Sequence, residues 1–356
     1  MLNTNMDEFY KYIQQFIDEQ TLVTIGSGIS SAEGVPGMGK LAMELIKDVP
    51  NLITLTDKEK IDEWQNIKTH LDKGIDLETT LTDVHVDNDL DNAIKYATYK
   101  FLREFNESIV SDVLKGDHLL KIVPLLSHLM PRNSKELVII TTNYDCLIEY
   151  ACSVLGIDVD TLFYGTTIKK FQPSLEKKQH RQIVTNRAKP AIKINHNFVK
   201  LLKPHGSLDW HSTPKDEFIN ISLDSPETVE IITPGISKFQ RERREPYNKI
   251  YDICNQEIDN ARRYLFLGYG FNDQDLQDHY EYAKNKDKPI LVITKDLTEN
   301  IQKLYDEAST IMLIYEDGSG SNIKYKHLET NIEQHDNAKL WDIEVLTEKV
   351  LNGKDN

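Results

Sequence analysis

Four stretches of the chain end an apolar run in residues that can do chemistry: "TLVTIGSGIS" (21–30), "ELVIITTNYD" (136–145), "VKLLKPHGSLDW" (199–210) and "YLFLGYGFND" (264–273). In the first, Gly26 and Gly28 follow a strand-like run. Small residues there let a phosphate approach backbone N–H groups, and the positive end of a following helix favours the anion. The G-x-G-x-x-G spacing is incomplete, because Ser31 stands at the third glycine position, so this stretch alone is also compatible with a plain turn. The second stretch offers Asn143 and Asp145. The third offers His205 followed by Gly206, an imidazole being a mild base near neutral pH. The fourth offers Gly268, Gly270, Asn272 and Asp273. Ligands of open α/β sheets bind outside the carboxyl ends of the strands, so four such ends are expected to converge on one crevice.

Further β-branched, nearly all-apolar runs at 229–235, 289–295 and 310–316 resemble strands buried on both faces. That pattern belongs to parallel sheets covered by helices. The expected fold is therefore α/β, a Rossmann-like doubly wound parallel sheet with an inserted helical module. An N-terminal helix (1–20) opens at Asn5, with Phe9, Ile13, Phe16 and Ile17 on one face. The Rossmann-like domain is expected over 21–39 and 131–316, and the helical module over 40–130, where the apolar spacing is three and four residues. A basic, loop-rich insertion is expected over 160–197. A C-terminal loop and helix are expected over 317–356, the helix packing back on the domain or meeting another subunit.

The 356 residues can bury a sizeable core, and the formal charge of −15 argues against a general attraction to nucleic acid or anionic lipid. Eight Lys or Arg between Ile168 and Lys193 face one acid, whereas Asp72 to Asp91 holds seven acids against Lys73. The two segments are solvated faces or complementary docking surfaces. Three cysteines cannot form a disulfide framework, and no targeting segment opens the chain, so a cytoplasmic location is expected. No apolar run approaches the roughly 18–20 residues needed to span a bilayer.

Together "GSGISSAEGVPGM", "TTNYD", "KPHGSLDW" and "FLGYGFND" resemble the sirtuin fold in order and spacing, and specifically the zinc-free, sirtuin-like NAD-hydrolysing effectors of bacterial anti-phage defence. The resemblance covers about residues 21–316. It implies that Gly26, Ser27, Gly28 and Ser30 hold a pyrophosphate, and that Asn143 orients the nicotinamide ribose and the nucleophile. Asp145 then lies near the carboxamide, and His205 acts as base toward a ribose hydroxyl. Gly268, Tyr269 and Asn272, with Thr294, match the adenosine side. The implied reaction is cleavage of NAD+ to nicotinamide and ADP-ribose, a step that needs hydroxyl positioning and a mild base more than a strong acid. The resemblance also implies a homo-oligomer and, as partner, a DNA-translocating ring ATPase or another defence protein.

Departures from the deacylating sirtuins are specific. Cys254 is the only cysteine after His205, so two Cys-x-x-Cys zinc pairs cannot form. "PGMG" replaces the usual phenylalanine-arginine pair, and Thr142 replaces glutamine. These features favour water as the acceptor. A non-catalytic module that senses NAD or ADP-ribose, and a zinc-free deacylase, are the alternatives. The calcium-like "DNDLDN" from Asp87 lacks the glycine and glutamate of such a loop, and His205 with His211 lacks further ligands, so no metal is expected. The run "KFQRERREP" (238–246) lacks interleaved aromatics, so it is expected to be a solvated helix start, and no direct nucleic-acid contact is expected.

Overall fold

The computed structural model describes residues 5–17, 20–53, 58–83, 88–131, 136–175, 181–186, 189–194, 197–233, 244–273, 276–277, 279–280 and 287–353. Among them, nine strands form a central sheet. In chain order they are β1 (Thr21–Ile25), β2 (Glu136–Thr141), β3 (Asp158–Asp160), β8 (Phe198–Leu202), β12 (Arg263–Leu267), β13 (Ile290–Ile293), β14 (Thr310–Asp317), β15 (Gly320–His327) and β16 (Thr330–Asp336). Their spatial order is β16-β15-β14-β13-β12-β1-β2-β8-β3. From β3 to β14 every pairing is parallel, and β15 and β16 are added by antiparallel hairpins.

Alternation along each strand decides which face a residue serves. Val23, Leu265, Leu267, Leu291 and Ile293 join one core with Phe9 and Ile13 of the N-terminal helix (Met6–Gln14) and with Phe16 just beyond it. Leu22, Tyr264, Phe266, Ile290 and Val292 join the other, with Ile250, Cys254 and Ile258 from the helix Tyr247–Asn260. Both faces are covered, which is why β1 and β13 are buried throughout. Burial raises the Cys254 thiol well above its ordinary range, and the Cys152 thiol to about 12, so neither is poised to react.

Between β1 and β2 lie α2 (Ser27–Ala32), α3 (Met38–Leu52), α4 (Lys58–Asp72), α5 (Leu77–Asp83), α6 (Asn88–Lys115) and α7 (Ile122–Leu129). Helices α3 to α6 share a small core of their own, built on Leu41, Leu45, Val49, Trp64, Ile67, Leu77, Leu81 and Ile94. Apolar positions at helical spacing, with no strand run between them, account for this module. Asn88 starts a continuous helix over the calcium-like pattern, and Asp87 lies outside the described residues.

Three expectations about elements are corrected. The 160–197 insertion is not mainly loop among its described residues. It carries β4 (Phe163–Gly165), β5 (Lys169–Phe171) and the hairpin of β6 (Arg181–Asn186) with β7 (Lys189–Ile194). The run at 229–235 is a strand, β11 (Val229–Ile231), but not of the parallel sheet. It pairs antiparallel with β9 (Gly206–Ser212) in a second sheet of order β11-β9-β10-β5-β4, where β10 is Phe218–Asn220. Residues 320–336, expected as loop, are β15 and β16. Their alternation of buried Ile323 and Tyr325 with more accessible Lys324 and Lys326 is that of a sheet with one wet face. The C-terminal helical segment (Ile343–Leu346, continuing to Leu351) packs back on the domain, with Leu346 and Val350 buried and Val350 O accepting from Gln14 Nε2 at 2.6 Å. Residues 238–243 of the basic run lie outside the described residues, and the helix beyond it begins at Tyr247.

Candidate functional site

The loops beyond β1, β2, β8 and β12 meet at one cavity of about 200 Å³. Of the residues expected to act, Gly26, Ser27, Ser30, Asn143, Asp145, His205, Tyr269 and Asn272 line it; Gly28, Gly268 and Thr294 do not. The glycines explain their own absence. Gly26 N donates to Leu267 O and Gly28 N to Gly268 O, each at 3.0 Å. A Cβ on Gly28 would lie 2.7 Å from Gly268 Cα, and one on Gly268 would lie 2.8 Å from Gly28 Cα. Gly268 also has φ +55°, a backbone conformation suited to glycine. Gly28 and Gly268 thus let two strand ends cross at backbone distance, and two N–H groups expected to face a phosphate are spent on that crossing. Helix α2 has six residues, so the small side chains of its loop, rather than a long helix dipole, shape this wall. Thr294 is turned to its own loop, Oγ1 donating to Asp296 O at 3.3 Å.

Beyond β2, Asn143 is held from two sides. Its Nδ2 donates to Gly26 O at 3.0 Å and to Ser30 Oγ at 2.8 Å, and its backbone N–H donates to Thr141 Oγ1. These bonds commit the amide nitrogen and none uses Oδ1. Ser30 Oγ in turn donates to Asp145 Oδ2 at 2.6 Å, and Asp145 Oδ1 accepts from Leu147 N at the start of α8 (Leu147–Val154). A chain of hydrogen bonds therefore fixes Ser30, Asn143 and Asp145 relative to one another.

Beyond β8, the turn Lys203–Gly206 places His205. Gly206 has φ +83°, and a Cβ there would stand 2.2 Å from Glu230 O, so the turn requires glycine. His205 O accepts from Ile232 N at 2.8 Å, tying the loop to the second sheet. The His205 ring lies with Nε2 2.7 Å from Asp273 Oδ2, both side chains nearly buried. Lys203, 1% exposed, links the loops of β2 and β8. Its Nζ donates to Asp145 O (2.6 Å), Ser207 Oγ (2.8 Å) and Glu149 Oε1 (3.1 Å). Burial alone would lower the lysine's pKa, but Glu149, with Cys146, Asp209 and Asp145, outweighs it and raises the value, so the ammonium stays charged.

Several lining residues carry no role in the sequence reading. Asp273 sits in the quoted "GFND" stretch, yet only the fold shows that it meets His205. Glu78 comes from α5 within the acidic segment. Val35, Met38, Leu41 and Leu102 make an apolar wall, supplied by the α2–α3 loop, α3 and α6. No sequence period distinguishes such wall residues from ordinary core. Among the described residues, no group of three His, Cys, Asp or Glu is arranged to hold a metal, and no helix is long and apolar enough to cross a membrane.

A family model described as "SIR2-like domain" matches residues 137–314, half of the chain. The chain belongs to the SIR2-like family. Its mixed, largely parallel sheet with helices on both faces is the sirtuin-like fold. Solved structures similar to this SIR2-like chain include Sir2Tm bound to a propionylated peptide, at 11% identity and TM-score 0.43, covering 96% of this chain and 97% of that one. A structure from a study of sirtuin substrate affinity shares 13% identity at TM-score 0.44, covering 99% and 100%. A Sir2 complex with a p53 peptide and NAD+ shares 12% at TM-score 0.42, covering 96% and 97%. A search of curated proteins found no significant match.

Proposed function

We propose that this SIR2-like chain is an NAD+ glycohydrolase. The observation that carries the reading is that Asn143 and Asp145, beyond β2, and His205, beyond β8, line a single cavity in which His205 Nε2 stands 2.7 Å from Asp273 Oδ2. In the proposed reaction the bond between ribose C1′ and the nicotinamide nitrogen breaks, and its electron pair leaves with neutral nicotinamide. Water then bonds to C1′ and releases one proton, giving ADP-ribose. Asn143, held by Gly26 O and Ser30, positions the ribose and the water. Asp145 stands near the carboxamide. His205 accepts a proton, and Asp273 orients the ring and stabilises the imidazolium. Ser27 and Ser30 flank the pyrophosphate, with Gly26 allowing close approach, while Tyr269 and Asn272 serve the far side of the dinucleotide.

Absence of the zinc-ligand cysteines supports water as acceptor. The apolar wall of Val35, Met38, Leu41 and Leu102 favours a second reading, transfer to an acylated lysine whose chain would lie against it. Nicotinamide release from NAD+ by the purified chain, with and without an acyl-lysine peptide, decides between them. Release without peptide, lost in Asn143→Ala and His205→Ala and reduced in Asp273→Asn, is expected. Release only with peptide would replace hydrolysis by deacylation. Binding of NAD+ without any release would leave a sensing module. Within this reading the chain depletes NAD in anti-phage defence and is activated by self-assembly or by a partner such as a DNA-translocating ring ATPase. Both rest on the resemblance of the four strand-end motifs.

A further inference from the structure

Gly270, Asn272 and Asp273 line the cavity beyond β12, and Phe271 among them has φ +57°, a conformation that a bulky side chain rarely adopts. Such strain persists only where the surroundings over-determine it. The Phe271 ring packs against Phe266 and Tyr269, with centroids 4.6 and 4.9 Å away. Its backbone is held from outside the cavity, by the start of the helix Glu299–Glu307. Thr298, which caps that helix, donates through Oγ1 to Gly270 O at 3.3 Å, and Asn300 donates through Nδ2 to Phe271 O at 2.9 Å and to Asn272 Oδ1 at 3.0 Å. The first Asn300 bond sets the second. A backbone carbonyl only accepts, so nitrogen must face Phe271 O, and the other hydrogen on that nitrogen calls for an oxygen on Asn272. The Asn272 amide is thereby fixed with Oδ1 spent and Nδ2 engaged by no described residue. Asn272 is exposed, and a Cβ on Gly270 would lie 3.5 Å from Nδ2 against 4.0 Å from Oδ1, so the nitrogen is the amide atom turned toward Gly270, itself a cavity residue.

We propose that Asn300, which does not line the cavity, is a positioning residue: it holds Asn272 so that the amide offers the bound dinucleotide an N–H donor and no acceptor, and this corner takes an acceptor oxygen of the ligand. The inference rests on the NAD+ reading of the cavity and adds how one of its donors is aimed. That donor matters because Gly26 N and Gly28 N are spent on the strand crossing, and among the described residues no Lys or Arg lines the cavity, so ligand oxygens depend on neutral donors. A phosphate oxygen and a sugar oxygen share the accepting chemistry. A carboxylate at position 272 separates them, since it repels a phosphate but accepts from a sugar hydroxyl.

Calorimetric titration with ADP-ribose tests both residues. Asn272→Ala should weaken binding about fivefold to tenfold. Asn300→Asp keeps the side-chain shape and suits the positive end of its helix, but it sets an acceptor against Phe271 O and turns the Asn272 amide around. It should weaken binding by a similar factor, and Asn300→Gln, which still donates, should recover part of the loss. Adding Asn300→Asp to Asn272→Ala should cost nothing more, because the two act through one amide. A residue that served the fold alone would weaken binding equally in both backgrounds. Unchanged affinity in Asn272→Ala overturns the donor role, and losses that add in the double variant, or no recovery in Asn300→Gln, overturn the positioning role. Affinity in Asn272→Asp below that of Asn272→Ala assigns the contact to a phosphate oxygen, an intermediate value assigns it to a sugar hydroxyl, and a wild-type value overturns the donor role. A folded wild type that does not bind ADP-ribose overturns the NAD+ reading itself, and this inference with it.

Discussion

Lys203→Met tests the tie between the two loops that carry Asn143, Asp145 and His205. Methionine keeps the apolar stem but removes the ammonium that bonds Asp145 O, Ser207 Oγ and Glu149 Oε1. Deleting one partner of a buried ion pair costs roughly 3–5 kcal/mol, because the other charge stays buried without compensation. The Glu149 side chain is 18% exposed, so some solvent reaches it and the lower end applies, about 3 kcal/mol. At about 2–4 °C per kcal/mol for a large domain, the melting temperature should fall by about 6–12 °C. The double variant Lys203→Met with Glu149→Leu removes both charges and should recover most of that loss. Thermal unfolding followed by circular dichroism is sufficient to read both. A drop below about 2 °C in the single variant, or a double variant no more stable than the single, would refute the claim that this pair holds the loops.

Gly268→Ala adds a Cβ 2.8 Å from Gly28 Cα at a positive φ. It should cost about 1–3 kcal/mol from overpacking, with about 1–2 kcal/mol more from the left-handed backbone. Gly39→Ala, in α3 with nothing within 4 Å, should instead stabilise by up to about 1 kcal/mol, and the two melts compared make the test. Acid should loosen the docking of the N-terminal helix. Burial alone would raise the Asp336 pKa, but the Tyr10 hydroxyl, Ala338 N–H and Lys349 outweigh it and lower the value. A depressed carboxylate contributes stability that is present above its unfolded pKa and lost as pH falls through the folded value. Melting temperature should therefore decline below about pH 4, less steeply in Asp336→Asn; parallel profiles would exclude this contribution.

Much of the site was legible because parallel strands covered on both faces must be apolar along their length. β1, β2, β8 and β12 stand out for that reason, and polar residues at their ends mark the crevice. β15 and β16 were harder to see, since an antiparallel hairpin with one wet face alternates polar and apolar residues, as a surface loop can. Here "DGSG" followed by the alternation around Ile323 and Tyr325 was the available signal. β11 is legible as a strand but its sheet is not, because three buried residues in a row carry no information about which edge they join.

What the sequence alone determined is therefore local: where buried strands lie, which polar groups follow them, and that the helical module has its own apolar faces. Tertiary structure decided the rest. It turned Gly28 and Gly268 from expected ligand contacts into the crossing point of two strand ends, set Asp273 against His205, and brought Glu78 from a distant helix to the cavity that Tyr269 lines. The physical reason is that periodicity and turn chemistry act over a few residues, whereas these meetings depend on strand order and on close packing between segments as far apart in sequence as Gly28 and Gly268.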